Sequence, residues 1–202
     1  VYIVRYGTVD WVIKYLVEIK KDSLEIAALK LSFLPLFGII GTISAGYVSD
    51  KFFKGKRAPV NVLYLVGVIL AILGLQLNSN AANFLDRYFL AVTHLQLTAV
   101  TSLNGSDILD FIYLGLIGIF TCGPQLLIGG LCAIESSSKR VASAATGFTG
   151  SFGYIGAILS GVGTGYMIDK FGWNGAIYFW IASAVICILI CLPMWNQKST
   201  CK

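Results

Sequence analysis

Charge is what this sequence has least of. Its 15 Lys and Arg and 10 Asp and Glu amount to 12% of 202 residues, about half the share of an ordinary globular domain. A soluble protein of this length would need more charge to cover its surface. Histidine occurs once, and no C-x-x-C pair occurs among Cys122, Cys132, Cys187, Cys191 and Cys201. The usual spacings of zinc sites and redox dithiols are therefore missing, and these cysteines read as small buried hydrophobes. The chain opens without a basic, apolar and small-residue cleavage pattern, so no signal peptide is read there. The net charge of +5 does not suggest nucleic-acid binding, because the basic residues lie in short segments between apolar blocks rather than along one polar face.

What fills the chain instead is apolar. Mean hydropathy is +0.78 and 56% of the residues are hydrophobic. They come in long blocks, as bilayer-spanning helices require, rather than in periodic stripes. Six such blocks are read: Val1 to about Leu16, which looks cut short at its start, Ala27–Val48, Val60–Leu77, Ile108–Ile134, Val141–Ile168 and Ala176–Met194. The expectation is an all-α membrane protein of six transmembrane helices. The stretch 78–107 is too polar for a confident span and is read as an extended loop insertion, with room for a helix lying at the interface. It contains His94, to which no role is assigned, and the glycosylation-type triplet Asn104-Gly105-Ser106.

Loop charge sets an expected orientation. Lys51, Lys54, Lys56, Arg57, Lys139, Arg140, Lys198 and Lys202 fall on one side, and Lys20, Lys21, Arg87 and Lys170 on the other. The richer side, with the C-terminus, is expected in the cytoplasm. There is also an internal echo: Gly46-Tyr47-Val48-Ser49-Asp50-Lys51-Phe52 resembles Gly165-Tyr166-Met167-Ile168-Asp169-Lys170-Phe171. Either a duplicated three-helix unit or coincidence would produce it.

Few residues inside the blocks could carry chemistry. Arg5 sits in the first apolar block, where a guanidinium costs about 2.5–3.5 kcal/mol on insertion scales. It either faces a water-filled cavity, where its planar fork suits two phosphate oxygens, or snorkels to the interface. Asp10 and Lys14, four apart, could pair on one helix face. Asp10 could instead balance a basic residue elsewhere. Lys30, near the start of the second block, is expected to snorkel outward, and Glu135 to close the fourth block at the interface. Gly147, Gly150, Gly153 and Gly156 recur every third residue and permit close helix packing; Tyr154 interrupts that face. Gly161-Val162-Gly163-Thr164-Gly165 is not read as a phosphate loop, since no strand precedes it and no Lys-Ser/Thr follows. Gly123-Pro124 predicts a kink in the fourth block.

Three stretches resemble the organophosphate:phosphate antiporters of the major facilitator superfamily. Arg5-Tyr6-Gly7-Thr8-Val9-Asp10-Trp11 is similar to that family's R-Y-G-x-x-D-W in its seventh helix. Gly46-Tyr47-Val48-Ser49-Asp50-Lys51, followed by Lys54-Gly55-Lys56-Arg57, resembles the superfamily's G-x-x-x-D-K/R loop and the family's F-x-G-x-R. Gly123-Pro124-Gln125-Leu126-Leu127-Ile128-Gly129 and Ala145-Thr146-Gly147-Phe148-Thr149-Gly150 complete the likeness, and the first of these looks closest to the hexose-phosphate branch, sensor-type members included. The resemblance implies that residues 1–202 are the C-terminal six-helix half of a twelve-helix fold, whose partner is the N-terminal half of the same protein. It implies exchange of a phosphorylated sugar for inorganic phosphate across the lipid bilayer, with no cofactor and no covalent chemistry. It makes Arg5 a phosphoryl ligand, with Tyr2 and Tyr154 lining the cavity. Asp10 becomes a charge partner of the other half, and Asp50, Lys51 and Arg57 gating charges. A transporter-like sensor of hexose phosphate is the alternative; a membrane enzyme would need a nucleophile or metal cluster within the blocks, and none is visible.

The orientation is directly testable. An introduced cysteine at Gly55 should react with an impermeant thiol reagent only from the cytoplasmic side, and one at Ser102 only from outside. Labelling of both from one side would overturn the alternation.

Overall fold

The structure is a computed structural model of the chain. It describes residues 1–93, 105–135, 137 and 140–195, with side chains described outside 79–93 and 105–106. The readings of His94, Asn104 and Lys139, and of the tail that carries Lys198, Cys201 and Lys202, lie outside the described residues. Every regular element described is helical. In the order of the chain, α1 is Tyr2–Tyr15, α2 is Leu24–Lys51, α3 is Arg57–Thr93 and α4 is Gly105–Leu126. A single helical course, Ala142–Cys191, follows and breaks at Gly172, where φ is 67° and ψ is −169°. It is therefore two helices, α5 over 142–171 and α6 over 173–191.

Local sequence accounts for the boundaries. Ser23 caps α2 by accepting a hydrogen bond from the Ile26 N–H at 3.4 Å, which satisfies one of the donors orphaned at a helix start. Between α2 and α3 the backbone turns through Lys54 (φ 51°) and Gly55 (φ 80°), and the Gly55 N–H closes onto the Ser49 carbonyl at 3.0 Å. At Gly172 the backbone enters a region open in practice only to glycine. A 50-residue apolar helix would be about 75 Å long, against a bilayer core of about 30 Å. The Gly172 break thus turns one over-long element into two of crossing length. Four helical stretches are long and apolar enough to cross a membrane: Leu24–Lys51, Arg57–Asn78, Asp107–Glu135 and the broken Ala142–Met194.

The first part of the stretch 78–107, where the sequence leaves room for a helix, is helical, because α3 continues to Thr93. Its 37 residues run about 55 Å, so the part beyond Asn78 carries the helix past the apolar core. In α4 the Gly123-Pro124 step leads not to a sharp stop but to a π turn, Leu127–Leu131, and a last α turn, Cys132–Glu135. Proline removes one rung of the ladder, and the helix absorbs the defect by one wider turn.

The core lies around α4, which packs on α2 and α3, while α1 packs on α5 and α6. Glycines set the closest approaches. A Cβ at Gly118 of α4 would run into the Leu34 carbonyl of α2, and one at Gly41 of α2 into the backbone of Ile119. Gly153 and Gly156 of α5 receive the Tyr2 side chain of α1. The small-residue face predicted on α5 is thus divided, since a Cβ at Gly147 or Gly150 meets nothing within 4 Å in this chain. Two polar side chains in the apolar interior find internal partners. Ser160 donates to the Ile3 carbonyl at 2.7 Å, and Trp180 Nε1 donates to Thr164 Oγ1 at 3.0 Å.

The echo between residues 46–52 and 165–171 carries into geometry. Each copy ends a helix, α2 in one case and α5 in the other, three helices apart and so at opposite ends of the bundle. In each the lysine folds back over the tyrosine four residues earlier, with Nζ 4.9 Å from the ring centroid in both Lys51–Tyr47 and Lys170–Tyr166. Such an i,i+4 contact forms on any helix surface, so it is consistent with duplication and with coincidence alike.

Gly118→Leu should force α2 and α4 apart and destabilise the protein by about 3 kcal/mol or more, at the upper end of overpacking costs. Gly46→Ala, where a Cβ meets nothing within 4 Å, should be neutral or mildly stabilising. Thermal unfolding of the two variants in detergent would check both; equal stability would mean that the α2–α4 contact is looser than described.

Candidate functional site

Four cations come from α1, α2 and α3, or from the turn that ends α1, and are at least partly withdrawn from solvent; they are treated differently. Lys30 is fully buried and does not snorkel as the sequence suggested. Its ammonium donates to Asp22 at 2.7 Å, Asp107 at 2.6 Å and Asp110 at 3.1 Å. Lys20, in the π turn that ends α1, meets the other oxygen of Asp110 at 2.8 Å, as does the Asn78 amide at 2.8 Å. The three carboxylates lie close enough to resemble a cation-binding set, but the Lys30 ammonium already occupies that place. Long side chains reach the interface only when nothing nearer neutralises them; here α4 brings Asp107 and Asp110, three residues apart on one face, against α2.

At the opposite end, Arg57 opens α3. Its guanidinium bonds to Glu135 at 2.7 Å and 3.5 Å, to Asp50 at 2.8 Å and to Ser49 Oγ at 2.9 Å. This set joins the end of α2, the start of α3 and the end of the α4 course. Asp50 and Arg57 come together. Lys51 does not join them, remaining exposed beside the Tyr47 hydroxyl of its own helix. Glu135, expected at a helix end, does close one and is also the principal partner of Arg57.

Arg5 is the exception. It is half-buried on α1, and no carboxylate lies within 4 Å of it among the described residues. One guanidinium N–H donates to the side-chain carbonyl of Gln125 on α4, and the guanidinium carbon lies 5.9 Å from the centre of the Tyr6 ring. Tyr6 stacks on Tyr2 at 6.0 Å, and the Tyr2 hydroxyl reaches toward Gly129 in the π turn. The result is an aromatic-walled positive site with its charge held but not neutralised. Tyr154 is exposed, on the turn beside Gly153, and makes no hydrogen bond or ring contact among the described residues. Asp10 is exposed and makes no ion pair there either; Lys14 pairs with Glu18 instead, at 3.7 Å. Gln125 was not singled out from the sequence. The available signal was its place directly after Gly123-Pro124, where a bent helix presents a polar side chain inside an apolar block.

No family model matches the chain. It is 37% identical over 197 residues to the glycerol-3-phosphate transporter of Bacillus subtilis, covering 97% of this chain and 39% of that protein. To the probable hexose phosphate transport protein of Chlamydia trachomatis it is 36% identical over 198 residues, covering 98% and 38% respectively. To the membrane sensor protein UhpC of Escherichia coli it is 33% identical over 199 residues, 98% and 40%. The chain thus spans about two-fifths of the length of the curated relatives it matches. The long apolar helices mark a multi-pass membrane protein. Over nearly its whole length the chain is similar to proteins named as glycerol-3-phosphate and hexose phosphate transporters.

Replacing Lys30 with Met would leave three mutually close carboxylates without their central cation. Stability should fall by about 3–5 kcal/mol, the usual cost of removing one partner of a buried ion pair. Adding Asp107→Asn should recover part of the loss, and a double-mutant cycle by thermal unfolding in detergent would show the coupling. An unchanged melting temperature for Lys30→Met would show the cluster to be open to water.

Proposed function

We propose that the chain is the C-terminal half of a membrane antiporter that exchanges a sugar phosphate, in the first instance a hexose 6-phosphate, for inorganic phosphate by alternating access. In this reading residues 1–202 supply one wall of a cavity, and an N-terminal six-helix half supplies the other. The C-terminus lies in the cytoplasm, as the loop charges favour. The observation that carries the proposal is the uncompensated guanidinium of Arg5. The fold gives Lys30 three carboxylates and Arg57 two, yet gives Arg5 a neutral amide and an aromatic wall. A charge left open in this way costs free energy in the empty protein and suits an anion that arrives from outside.

Arg5 then grips two phosphoryl oxygens with its fork, Tyr2 lines the site beside it, and Tyr154 and Asp10 face the other half. Breaking and reforming the Arg57–Glu135–Asp50 set gates one end. No bond of the substrate is made or broken. A second reading is supported by the likeness to a protein named as a membrane sensor: the same site could bind a phosphate ester and report it to a partner. Counterflow of labelled phosphate in proteoliposomes separates the two, because a carrier exchanges its ligand and a pure sensor only binds it.

In the full-length protein, Arg5→Lys should leave the protein in the membrane and weaken phosphate binding by about 10- to 150-fold. Lysine keeps the charge and loses one charge-assisted hydrogen bond of about 1.5–3 kcal/mol. Phosphate affinity at the wild-type level would remove Arg5 from the site.

A further inference from the structure

The contact between Arg5 and Gln125 has a chemical logic that an arginine–carboxylate pair would not have. A guanidinium has five N–H donors. Gln125 accepts from one terminal nitrogen of Arg5, and its amide adds no negative charge. Lys20, Lys30 and Arg57, by contrast, are all held by carboxylates. A glutamate in place of Gln125 would have the same size and reach, and it would hold Arg5 more tightly. It would also neutralise the charge that an anion needs.

The backbone fixes the height of Gln125. A Cβ at Gly123 would run into the Tyr64 ring and Ala45, Pro124 is buried, and Leu127 is fully buried at the start of the π turn. Gln125 is therefore clamped between positions that pack against α2 and α3, while its side chain crosses to α1. Pro124 also breaks the regular ladder at this level, and the wider turn that follows re-aims the last part of α4.

We propose that Gln125 is the positioning residue of the anion site. Its side-chain carbonyl holds one edge of the Arg5 guanidinium in register and, being neutral, leaves the opposite edge charged and open to a phosphoryl group. The proposal rests on the reading of Arg5 as a phosphate ligand. It adds that the neutrality of the second residue, and not only its hydrogen bond, is selected by the site. Discrimination then follows: an anion is bound where a carboxylate at 125 would exclude it.

The test uses purified full-length protein with inorganic phosphate as the probe, and measures affinity between pH 5 and pH 8 for wild type, Gln125→Leu, Gln125→Glu, Gln125→Asn and Arg5→Lys. All values are taken relative to wild type at the same pH, which removes the titration of phosphate itself. Gln125→Leu should weaken binding by about tenfold at every pH, the equivalent of about 1.4 kcal/mol. Gln125→Glu should weaken it further at pH 8, and the deficit should shrink as the pH falls and the glutamate takes up a proton to become a neutral acceptor. Gln125→Asn, too short to reach, should resemble the Leu variant. A purely structural role predicts no pH-dependent difference between the nearly isosteric Glu variant and wild type, and that result would overturn the proposal. So would wild-type affinity in Gln125→Leu. Wild-type affinity in Arg5→Lys would instead overturn the underlying assignment of Arg5, a failure that the Gln125 variants alone would not produce. Thermal unfolding of each variant without phosphate identifies any that has lost its fold, and the Glu and Asn variants carry the test if the Leu variant does.

Discussion

A cation among apolar helices is expensive unless something nearby answers its charge, and this protein is organised around how each such cation is answered. Transfer from water into a low-dielectric interior costs an isolated ion several kcal/mol even after relaxation. Lys30 is answered by three aspartates drawn from α4 and from the turn before α2. Arg57 is answered by Asp50 and Glu135 at the far end. Both sets tie α2 to α4, and the glycine contacts at Gly41 and Gly118 let the same two helices approach backbone to backbone. Arg5 gets an amide. The bundle that holds the site is thus fastened by charge at both ends, and the site itself is defined by charge left over.

The division of labour between ends and middle suits a moving part. A half-bundle that rocks as a unit needs its own helices to stay together while its outer surface changes neighbours. Much of that surface is apolar and exposed on α2 and α5, as at Ile39, Ile43, Phe148, Phe152 and Val162. Such faces are compatible with lipid or with the helices of a second half. The set around Arg57 is partly open, with Asp50 exposed, whereas the set around Lys30 is closed. The two fasteners therefore differ in how easily water and competing partners reach them.

Much of this architecture was legible in the sequence, because long apolar blocks leave little choice of secondary structure. The break at Gly172 fell within the predicted short connection, and the disturbance after Gly123-Pro124 was expected as a kink. The errors came where a side chain's partner is distant in the chain. Lys30 was read as snorkelling because Asp107 and Asp110 lie about eighty positions away, although two aspartates three apart at the head of an apolar block are themselves a sign of a missing cation. Glu135 is legible as a helix end, but its partner Arg57 is not, for the same reason. The glycine face of α5 was legible as a pattern but not as a division between neighbours, because the pattern does not say which helix arrives. The end of α3 is not legible, because its helical course outlasts its apolar stretch and hydropathy reports the second more directly than the first. At the candidate site, Arg5 was legible from its position alone, whereas Gln125 became visible only when α4 was placed beside α1.

The open guanidinium also ties the protein's endurance to its surroundings. A ligand that binds only the folded form stabilises it by mass action, by about 2.7 kcal/mol at a hundred times its dissociation constant. With Arg5 as the proposed anion site, the protein is least durable when that site is empty. Handling it in a phosphate-free detergent solution would expose that weakness, while the cytoplasm, rich in phosphate esters, would conceal it. What a cell supplies as substrate would then serve a second time, as part of the material that keeps the protein folded.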